Sequence, residues 1–336
     1  MSEATRLTGS RDLAGATAVI QAALQSAGLM PDAPAVNDSD IVLDVQARER
    51  HDVEPGLTPA SPDSFTSGHA HGRDYKLYSP PNAEGTPRPL IVMLHGCTQD
   101  PDDFAAGTRM NDAARTHGCF VLYPAQSRQA NPQRCWNWFK HSHQSRGRGE
   151  PAMIAAITRD IIGSHAIDPA RVYVAGLSAG AAMAAILLDT YPDVYAAAGI
   201  HSGLAAGSAK DLPSALGAMQ SGSAAGARSA SGRPAIVFHG DADTTVHPSN
   251  ADHVIASVAS DSRPPEMKRQ RSAGGRDATC HVHRAADGRV MAEHWVVHGS
   301  GHAWSGGSQA GSYTDARGHD ATTEMLRFFL EHPQRA

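Results

Sequence analysis

A serine between two glycines carries the strongest chemical signal in this chain. Residues 172–180 read Val-Tyr-Val-Ala-Gly-Leu-Ser-Ala-Gly, an apolar strand-like run that enters a Gly-x-Ser-x-Gly turn, and an Ala- and Leu-rich helical pattern follows. Such a turn lifts the hydroxyl clear of the strand end, and its glycines stand where a Cβ would collide with backbone. Ser178 is therefore the candidate nucleophile. Because the chain has 32 glycines, the turn could also arise by chance, so partner groups must support it.

The first partner is a carboxylate. A serine hydroxyl is a weak nucleophile unless a histidine takes its proton and a carboxylate orients that histidine. The apolar run 235–239 opens into Gly-Asp-Ala-Asp-Thr-Thr-Val. Asp243 is the candidate acid because Thr-Thr-Val follows it, an Asp-x-x-Val turn typical of the acid in α/β-hydrolases. Asp241 is the alternative.

The second partner is a histidine in the loop after the run 291–297. Residues 298–307 read His-Gly-Ser-Gly-His-Ala-Trp-Ser-Gly-Gly. His302 is the candidate base, because a glycine-flanked loop just past a strand can bring its side chain to the carboxyl edge of a sheet. His298 is the alternative, although it ends the strand and is expected to pack or hydrogen-bond there.

An oxyanion hole must accompany these groups, because attack on a carbonyl places negative charge on its oxygen. The backbone N–H of Ala179, next to the nucleophile, is one predicted donor. The run 90–94 leads into His-Gly-Cys-Thr-Gln at 95–99, and the N–H of Cys97 is the second.

The elements around these residues predict an α/β-hydrolase fold, a doubly wound and mostly parallel sheet with helices on both faces. Short apolar runs without alternation are typical of parallel strands buried on both faces, and helical patterns separate or follow them. Predicted strands cover residues 75–78, 90–94, 120–123, 172–175, 196–200, 235–238 and 291–297. Predicted helices cover residues 108–116, 152–164, 179–190, 250–259 and 321–331.

Seven motifs together resemble the esterases of the polyhydroxybutyrate depolymerase family. The resemblance implies a serine hydrolase of carboxylic esters that needs no cofactor and acts on hydroxyalkanoate polyester, its oligomers or short-chain esters. The family also includes feruloyl and acetylxylan esterases, so those activities remain alternatives. The motifs are residues 95–99, 123–126, 134–139, 146–151, 176–180, 201–203 and 301–307.

The motifs also suggest substrate contacts and a disulfide. Three of the four tryptophans lie in matched loops, where an indole offers broad apolar surface to an ester. The predicted substrate contacts are Trp136, Trp138, Trp304, Gln99 and His201. Four cysteines permit three pairings, and the resemblance favours a bridge between Cys97 and Cys135. The lack of a signal peptide argues against one, because cytosolic thiols are normally reduced.

Charge and hydropathy limit the possible partners. The net charge of −5, with acids and bases interspersed, argues against nucleic acid. The sequence contains no run of about 18 apolar residues, so no membrane span is predicted. The absence of a secretory signal predicts a cytoplasmic protein, and an extracellular location, as for many family members, is the alternative.

Three segments are assigned from the sequence pattern. Residues 1–30 contain an amphipathic helix at 12–27, which either docks on the domain or adheres to an apolar polymer surface or a partner. Residues 31–64 read as a linker, and the catalytic domain is predicted to cover 65–336. Residues 205–233 are predicted to be a flexible surface segment, either a lid or a plain connection.

Two other classes of function compete with the serine hydrolase. Histidines spaced i, i+2 place both rings on one face of a strand, which could serve a metal-dependent hydrolase with an activated water. The pairs are His69 and His71, His141 and His143, and His281 and His283. No third ligand at a characteristic spacing accompanies any pair, so no metal site is predicted. The third class is a non-catalytic binding scaffold, against which the complete triad argues.

Overall fold

The structure, a computed structural model, describes residues 62–222, 232–260, 263–271 and 275–334. Within these ranges ten strands form one sheet, and two further strands form a small second sheet. The predicted helix at 1–30 and all but the last residues of the predicted linker lie outside the described residues. The first strand begins at Ser64, and the domain boundary at 65 stays a prediction.

The large sheet has the order β1-β2-β4-β3-β5-β6-β7-β10-β9-β8. Its strands are β1 Ser64–Ala70, β2 Arg73–Ser79, β3 Arg88–Leu94, β4 Phe120–Pro124, β5 Ile167–Leu177, β6 Ala197–His201, β7 Ala235–Gly240, β8 Glu266–Arg271, β9 Asp277–Arg284 and β10 Val290–Val297. The second sheet pairs β11 Trp304–Ser305 with β12 Thr314–Asp315. The six strands in the middle of the sheet run parallel; they are β4, β3, β5, β6, β7 and β10. Antiparallel strands extend both edges.

Helices cover both faces of the sheet. They are α1 Pro101–Thr108, α2 Met110–His117, α3 Gly149–Ser164, α4 Ala179–Thr190, α5 Leu212–Ser221, α6 Ser249–Val258 and α7 Ala321–Glu331. Alternate residues of β3 divide between two cores: Val92 packs in the core that contains α3, α4 and α6, and Met93 packs in the core that contains α1, α2 and α7. This doubly covered sheet explains why the central strands read as unbroken apolar runs.

Several elements were not predicted. β8 reads Glu-Met-Lys-Arg-Gln-Arg and is exposed along its whole length, so no apolar face marks it as a strand. α1 was missed because its first turn, Pro-Asp-Asp, reads as a loop, although Asp100 accepts a hydrogen bond from the N–H of Asp103 and caps the helix.

The predicted flexible segment 205–233 contains the ordered helix α5. A capping box between Asp211 and Ser214 starts the helix, and the Asn250 side chain donates to the Ala218 carbonyl at 2.9 Å. Residues 205–222 are thus packed on the domain, while 223–231 lie outside the described residues. A lid at this place stays a prediction.

None of the helices in the described ranges has the length and apolar character needed to cross a membrane.

Candidate active site

The turn between β5 and α4 has the backbone of a nucleophile elbow. Ser178 precedes the first residue of α4 and adopts φ 56° and ψ −118°, a strained conformation for a residue with a side chain. A Cβ on Gly180 would lie 2.0 Å from the Leu94 carbonyl oxygen, and one on Gly176 would lie 2.5 Å from the backbone of Gly180. The two glycines are therefore required sterically, and Ser178 lies half-buried at the carboxyl end of β5.

The predicted acid and base contact each other. His302 Nδ1 lies 2.7 Å from Asp243 Oδ2, and the Asp243 side chain is fully buried. Backbone N–H groups of Thr245 and Val246 both donate to Asp243 Oδ1 at 2.9 Å. Burial acts to raise the pKa of Asp243, but hydrogen bonds from His239 and His302 outweigh it and hold this pKa well below its usual range. Asp243 is thus an ionised acceptor that orients the His302 ring.

The nucleophile, the acid and the base follow three strands of the parallel part of the sheet. Ser178 follows β5, Asp243 follows β7 and His302 follows β10, and these strands lie in the order β5-β6-β7-β10. Within the described residues, the Ser178 hydroxyl makes no hydrogen bond, to His302 or to another group. Such contacts are often long in a free enzyme and shorten when substrate binds. The structure therefore joins the acid to the base and places the serine at the same edge of the sheet.

The two alternative residues form a pair of their own. Asp241 Oδ2 lies 2.8 Å from His298 Nδ1, and Asp241 Oδ1 accepts the Gly299 N–H at 2.6 Å. His298 Nε2 also contacts the Thr279 hydroxyl at 2.8 Å. Both ring nitrogens of His298 are thus occupied, as expected of a histidine that braces the strand end.

The predicted oxyanion donors lie at the ends of neighbouring strands, Cys97 after β3 and Ala179 after β5. No backbone hydrogen bond of the described residues uses the N–H of either one. The loop that carries Cys97 is fixed by Gln99, whose side chain accepts the Gly96 N–H at 2.9 Å and donates to Asp103 at 2.8 Å. The role of these two N–H groups as oxyanion donors stays a prediction.

A disulfide joins Cys97, in the loop after β3, to Cys135, in the loop 125–148 between β4 and α3. Buried Glu150 organises that second loop: it accepts from the Gln126 side chain at 2.6 Å and from the backbone and side-chain amides of Asn137 at 2.7 Å each. Burial acts to raise the pKa of Glu150, but hydrogen bonds from His143, Asn137 and Gln126 lower it overall. The carboxylate remains charged and holds the loop.

The five predicted substrate contacts are all buried, and their placement argues against that role. Trp136, Trp138, Trp304, Gln99 and His201 are at most 4% exposed. The Trp304 indole donates to Thr322 at 3.0 Å, and Trp136 packs beside the ring of His95. A tryptophan in a loop looks accessible in a sequence, whereas its burial depends on how the loops pack, and the role of these five residues as substrate contacts stays a prediction.

Sequence reasoning missed a carboxylate that holds the loop of His302. Asp315 in β12 accepts from the Ser300 hydroxyl at 2.8 Å and pairs with the Arg276 guanidinium at 2.6 Å. Arg276 also donates to the Gly299 carbonyl at 2.6 Å. The signal available was the polar run Tyr-Thr-Asp at 313–315, but nothing in the sequence connects it to Ser300.

The histidine pairs have partners other than a metal. His69 lies 2.6 Å from Asp74 and His71 lies 2.8 Å from Asp160, while the His281 ring lies near the His294 ring. In the part of the chain that the structure describes, no group of three or more His, Cys, Asp or Glu residues could hold a metal ion.

Comparison with known families decides among the proteins that could carry this site. The family model described as "Esterase PHB depolymerase" matches residues 73–263, more than half of the chain. The chain belongs to the PHB depolymerase esterase family. The resemblance seen in the seven motifs is thereby confirmed.

Individual relatives in and around the PHB depolymerase family differ in their named activities. The chain is 33% identical over 231 residues to poly(3-hydroxyalkanoate) depolymerase C of Paucimonas lemoignei, covering 64% of this chain and 54% of the relative. It is 30% identical over 193 residues to a probable acetylxylan esterase A of Aspergillus clavatus, covering 52% and 61%. It is 31% identical over 140 residues to feruloyl esterase B of Thermothelomyces thermophilus, covering 41% and 47%. The chain thus spans about half the length of the curated relatives it matches.

Solved structures confirm the α/β-hydrolase fold predicted for this PHB depolymerase family member. The acetyl xylan esterase from Aspergillus awamori aligns with a TM-score of 0.57 at 22% identity, over 71% of this chain and 94% of that chain. An S-formylglutathione hydrolase from Agrobacterium tumefaciens aligns with a TM-score of 0.51 at 16% identity, over 81% and 95%. At these identities the likeness shows the fold alone.

Proposed function

We propose that the chain is a serine carboxylic-ester hydrolase with an acyl-enzyme mechanism. The observation that carries the proposal is the buried Asp243–His302 hydrogen bond, at the sheet edge where the strained elbow presents Ser178. Membership of the PHB depolymerase esterase family supports an ester as the substrate.

Each residue has a defined role in this mechanism. His302 accepts the Ser178 proton as the hydroxyl oxygen attacks the ester carbonyl, and Asp243 stabilises the imidazolium that forms. The N–H groups of Cys97 and Ala179 receive the negative charge on the carbonyl oxygen. His302 then gives its proton to the leaving alcohol as the ester C–O bond breaks, and the acyl group stays on Ser178.

Water completes the cycle by the same route. It loses a proton to His302, attacks the acyl carbon and releases the carboxylic acid, while Ser178 recovers its proton. Every proton and electron pair in this sequence is supplied by the chain, the ester and water, so no cofactor is required.

The proposed substrates are hydroxyalkanoate polyester or its oligomers and short-chain esters. The depolymerase of Paucimonas lemoignei supports this class. A feruloyl or acetylxylan esterase is the second candidate, which the names of the fungal relatives favour. Specificity constants for hydroxybutyrate oligomers, short acyl nitrophenyl esters, feruloylated sugars and acetylated xylan would rank the candidates. A polysaccharide ester at the top of that ranking would replace the first candidate by the second.

Contact with an apolar polymer surface is proposed for the helix predicted within residues 1–30. In the described ranges, Met267 on β8 is the exposed large hydrophobic side chain. A chain without residues 1–60 should lose adsorption to polyester film and keep its activity on soluble esters. Equal adsorption of both forms would assign the contact elsewhere.

For the location of the protein, the Cys97–Cys135 disulfide supports the extracellular alternative over the cytoplasmic one. Disulfides persist in oxidising compartments and are rare in the cytosol. Fractionation of the native host, followed by detection of the protein in medium and cell extract, tests this choice.

A fluorophosphonate probe tests the mechanism itself. The wild-type chain should be labelled at one site and lose its esterase activity, while Ser178→Ala should be unlabelled, inactive and as stable as wild type. A metal-dependent hydrolase would resist the probe and lose activity to a chelator, and a binding scaffold would show no turnover. Either of these results, or activity in the Ser178→Ala variant, would overturn the proposal.

A further inference from the structure

His201 connects the nucleophile to the loop of the base. It is the last residue of β6, the strand beside β5. Its carbonyl oxygen accepts the Ser178 N–H at 2.9 Å, and its Nε2 accepts the Ser305 N–H at 2.9 Å. One residue therefore bonds directly to the elbow and to the segment three residues after His302.

The His201 ring is held on all sides. It stacks on Trp304 at a centroid distance of 5.0 Å and on Phe238 at 5.8 Å. Its Nδ1 lies 3.2 Å from the Ser202 hydroxyl. Because Nε2 accepts a hydrogen bond, the proton belongs on Nδ1, which donates to Ser202.

The bond from Ser305 requires a neutral imidazole, since a protonated ring has no acceptor. Burial, together with the neighbouring His239 and His302, lowers the pKa of His201 to about 3. The ring therefore stays an acceptor throughout the range in which an esterase works.

The ring is 1% exposed and so cannot contact an ester directly. Its hydrogen bonds instead fix the distance between the elbow of Ser178 and the loop of His302, which must lie close together for the proposed catalysis. The loop 302–305 spans at most about 11 Å, so any shift of Ser305 relative to the elbow is passed to His302.

We infer that His201 is a positioning residue, which clamps the loop of His302 against the elbow of Ser178 through the acceptor at Nε2. This role rests on the proposed serine-esterase function. It differs from that of Asp243, which orients the ring of His302 but does not contact the elbow.

Two variants that differ by one methylene separate the clamp from mere packing. In His201→Gln the amide oxygen can reach the position of Nε2, whereas in His201→Asn the amide ends near the position of Nδ1. His201→Phe keeps the ring stacks and loses the acceptor. His294→Gln, which removes a mostly buried neutral imidazole from β10, is the matched control.

The measured quantities are kcat and KM on a soluble nitrophenyl ester, with kcat counted per site that a fluorophosphonate labels at completion. Counting labelled sites removes any unfolded fraction from the result. His201→Asn and His201→Phe should lose roughly 10- to 100-fold in kcat, the range for small misplacement of a catalytic group, with KM within about twofold. His201→Gln and His294→Gln should stay within about threefold of wild type.

Per-site kcat near wild type in both His201→Asn and His201→Phe would overturn the clamp, even if both variants melt at lower temperature. An equal loss in His201→Gln would also overturn it, because the acceptor would then not be the group that matters. Failure of the proposed function is distinct: it would appear as a wild-type chain that the probe neither labels nor silences.

Discussion

Two Asp–His pairs lie at the same edge of the sheet, and they differ in burial and in what their atoms contact. In the pair of Asp243 and His302 the carboxylate is fully buried and the imidazole is 13% exposed. In the pair of Asp241 and His298 the side chains are 42% and 36% exposed. The distance from His Nδ1 to Asp Oδ2 is 2.7 Å in the first pair and 2.8 Å in the second, so it does not distinguish them.

The remaining contacts do distinguish them. Asp243 directs one oxygen to two backbone N–H groups of its own turn and the other to His302 and, at 3.4 Å, to His239. Asp241 uses one oxygen on the Gly299 N–H, and His298 uses its second nitrogen on Thr279. In the first pair His302 Nε2 is left to accept the Ser178 proton, whereas in the second pair both ring nitrogens and both carboxylate oxygens hold the loop.

The largest expected effect separates the two histidines. His302→Gln removes the group that accepts the serine proton, so kcat should fall on the order of 10⁶-fold. His298→Gln should lower kcat by less than about tenfold, because it loosens the loop without removing the base. Steady-state kinetics on a nitrophenyl ester measures both, and a greater loss in His298→Gln would exchange the two assignments.

Substitution of the two aspartates should give the same ranking of the two pairs, with a smaller loss of kcat than for the histidines. Asp243→Asn cannot stabilise the imidazolium or hold the required tautomer, so kcat should fall about 10⁴-fold. Asp241→Asn should stay within about tenfold of wild type. Melting temperatures serve as the control for folding. The reverse ranking would move the acid to Asp241.

The Asp315 carboxylate helps to hold the loop of His302, so its substitution should have an effect on kcat between those above and a neutral change. Asp315→Asn weakens its contacts with Ser300 and Arg276 and should lower kcat by roughly 10- to 100-fold through displacement of the loop. Asp287→Asn, a change at an exposed ion pair with Arg289 in the turn between β9 and β10, is the control. An unchanged kcat in Asp315→Asn would show that the loop is positioned without this carboxylate.

The smallest effect concerns stability at acid pH. Burial lowers the pKa of His95 to about 4 and that of His201 to about 3, whereas an unfolded histidine titrates near about 6.5. The unfolded chain therefore binds more protons below that pH. The free energy of unfolding should be highest above about pH 6.5. It should fall as the pH drops towards the pKa values of the folded state, on the order of 1 kcal/mol per pH unit for each histidine.

Melting temperatures between pH 7 and pH 4.5 measure this slope. His201→Phe should have a shallower slope than wild type, since one titrating group is gone. A wild-type melting temperature that does not change across this range would refute the assigned protonation states.

The candidate triad and the central strands could be predicted because short stretches of sequence specify both. The turn around Ser178 needs its two glycines, the loop of Asp243 follows an apolar run, and the strands before both turns are buried where they reach the turn. The order of the strand ends then brings distant residues together.

The remainder depends on packing between segments that are far apart in the chain. The sequence gives no indication that Trp304 turns inward to donate to Thr322, or that His201 accepts from Ser305. The exposed strand β8 shows no alternation because neither of its faces is covered by the core. Substrate contacts were therefore the least predictable part of the site.

The backbone at Ser178 has a consequence for engineering. A residue with a side chain at φ 56° and ψ −118° stores conformational energy, which glycine would release because it has no Cβ. Ser178→Gly should consequently melt at a higher temperature than Ser178→Ala, although both lack the hydroxyl. Selection for thermal robustness alone would thus favour loss of the proposed nucleophile, and a stabilised library of this chain must be screened for turnover at every round.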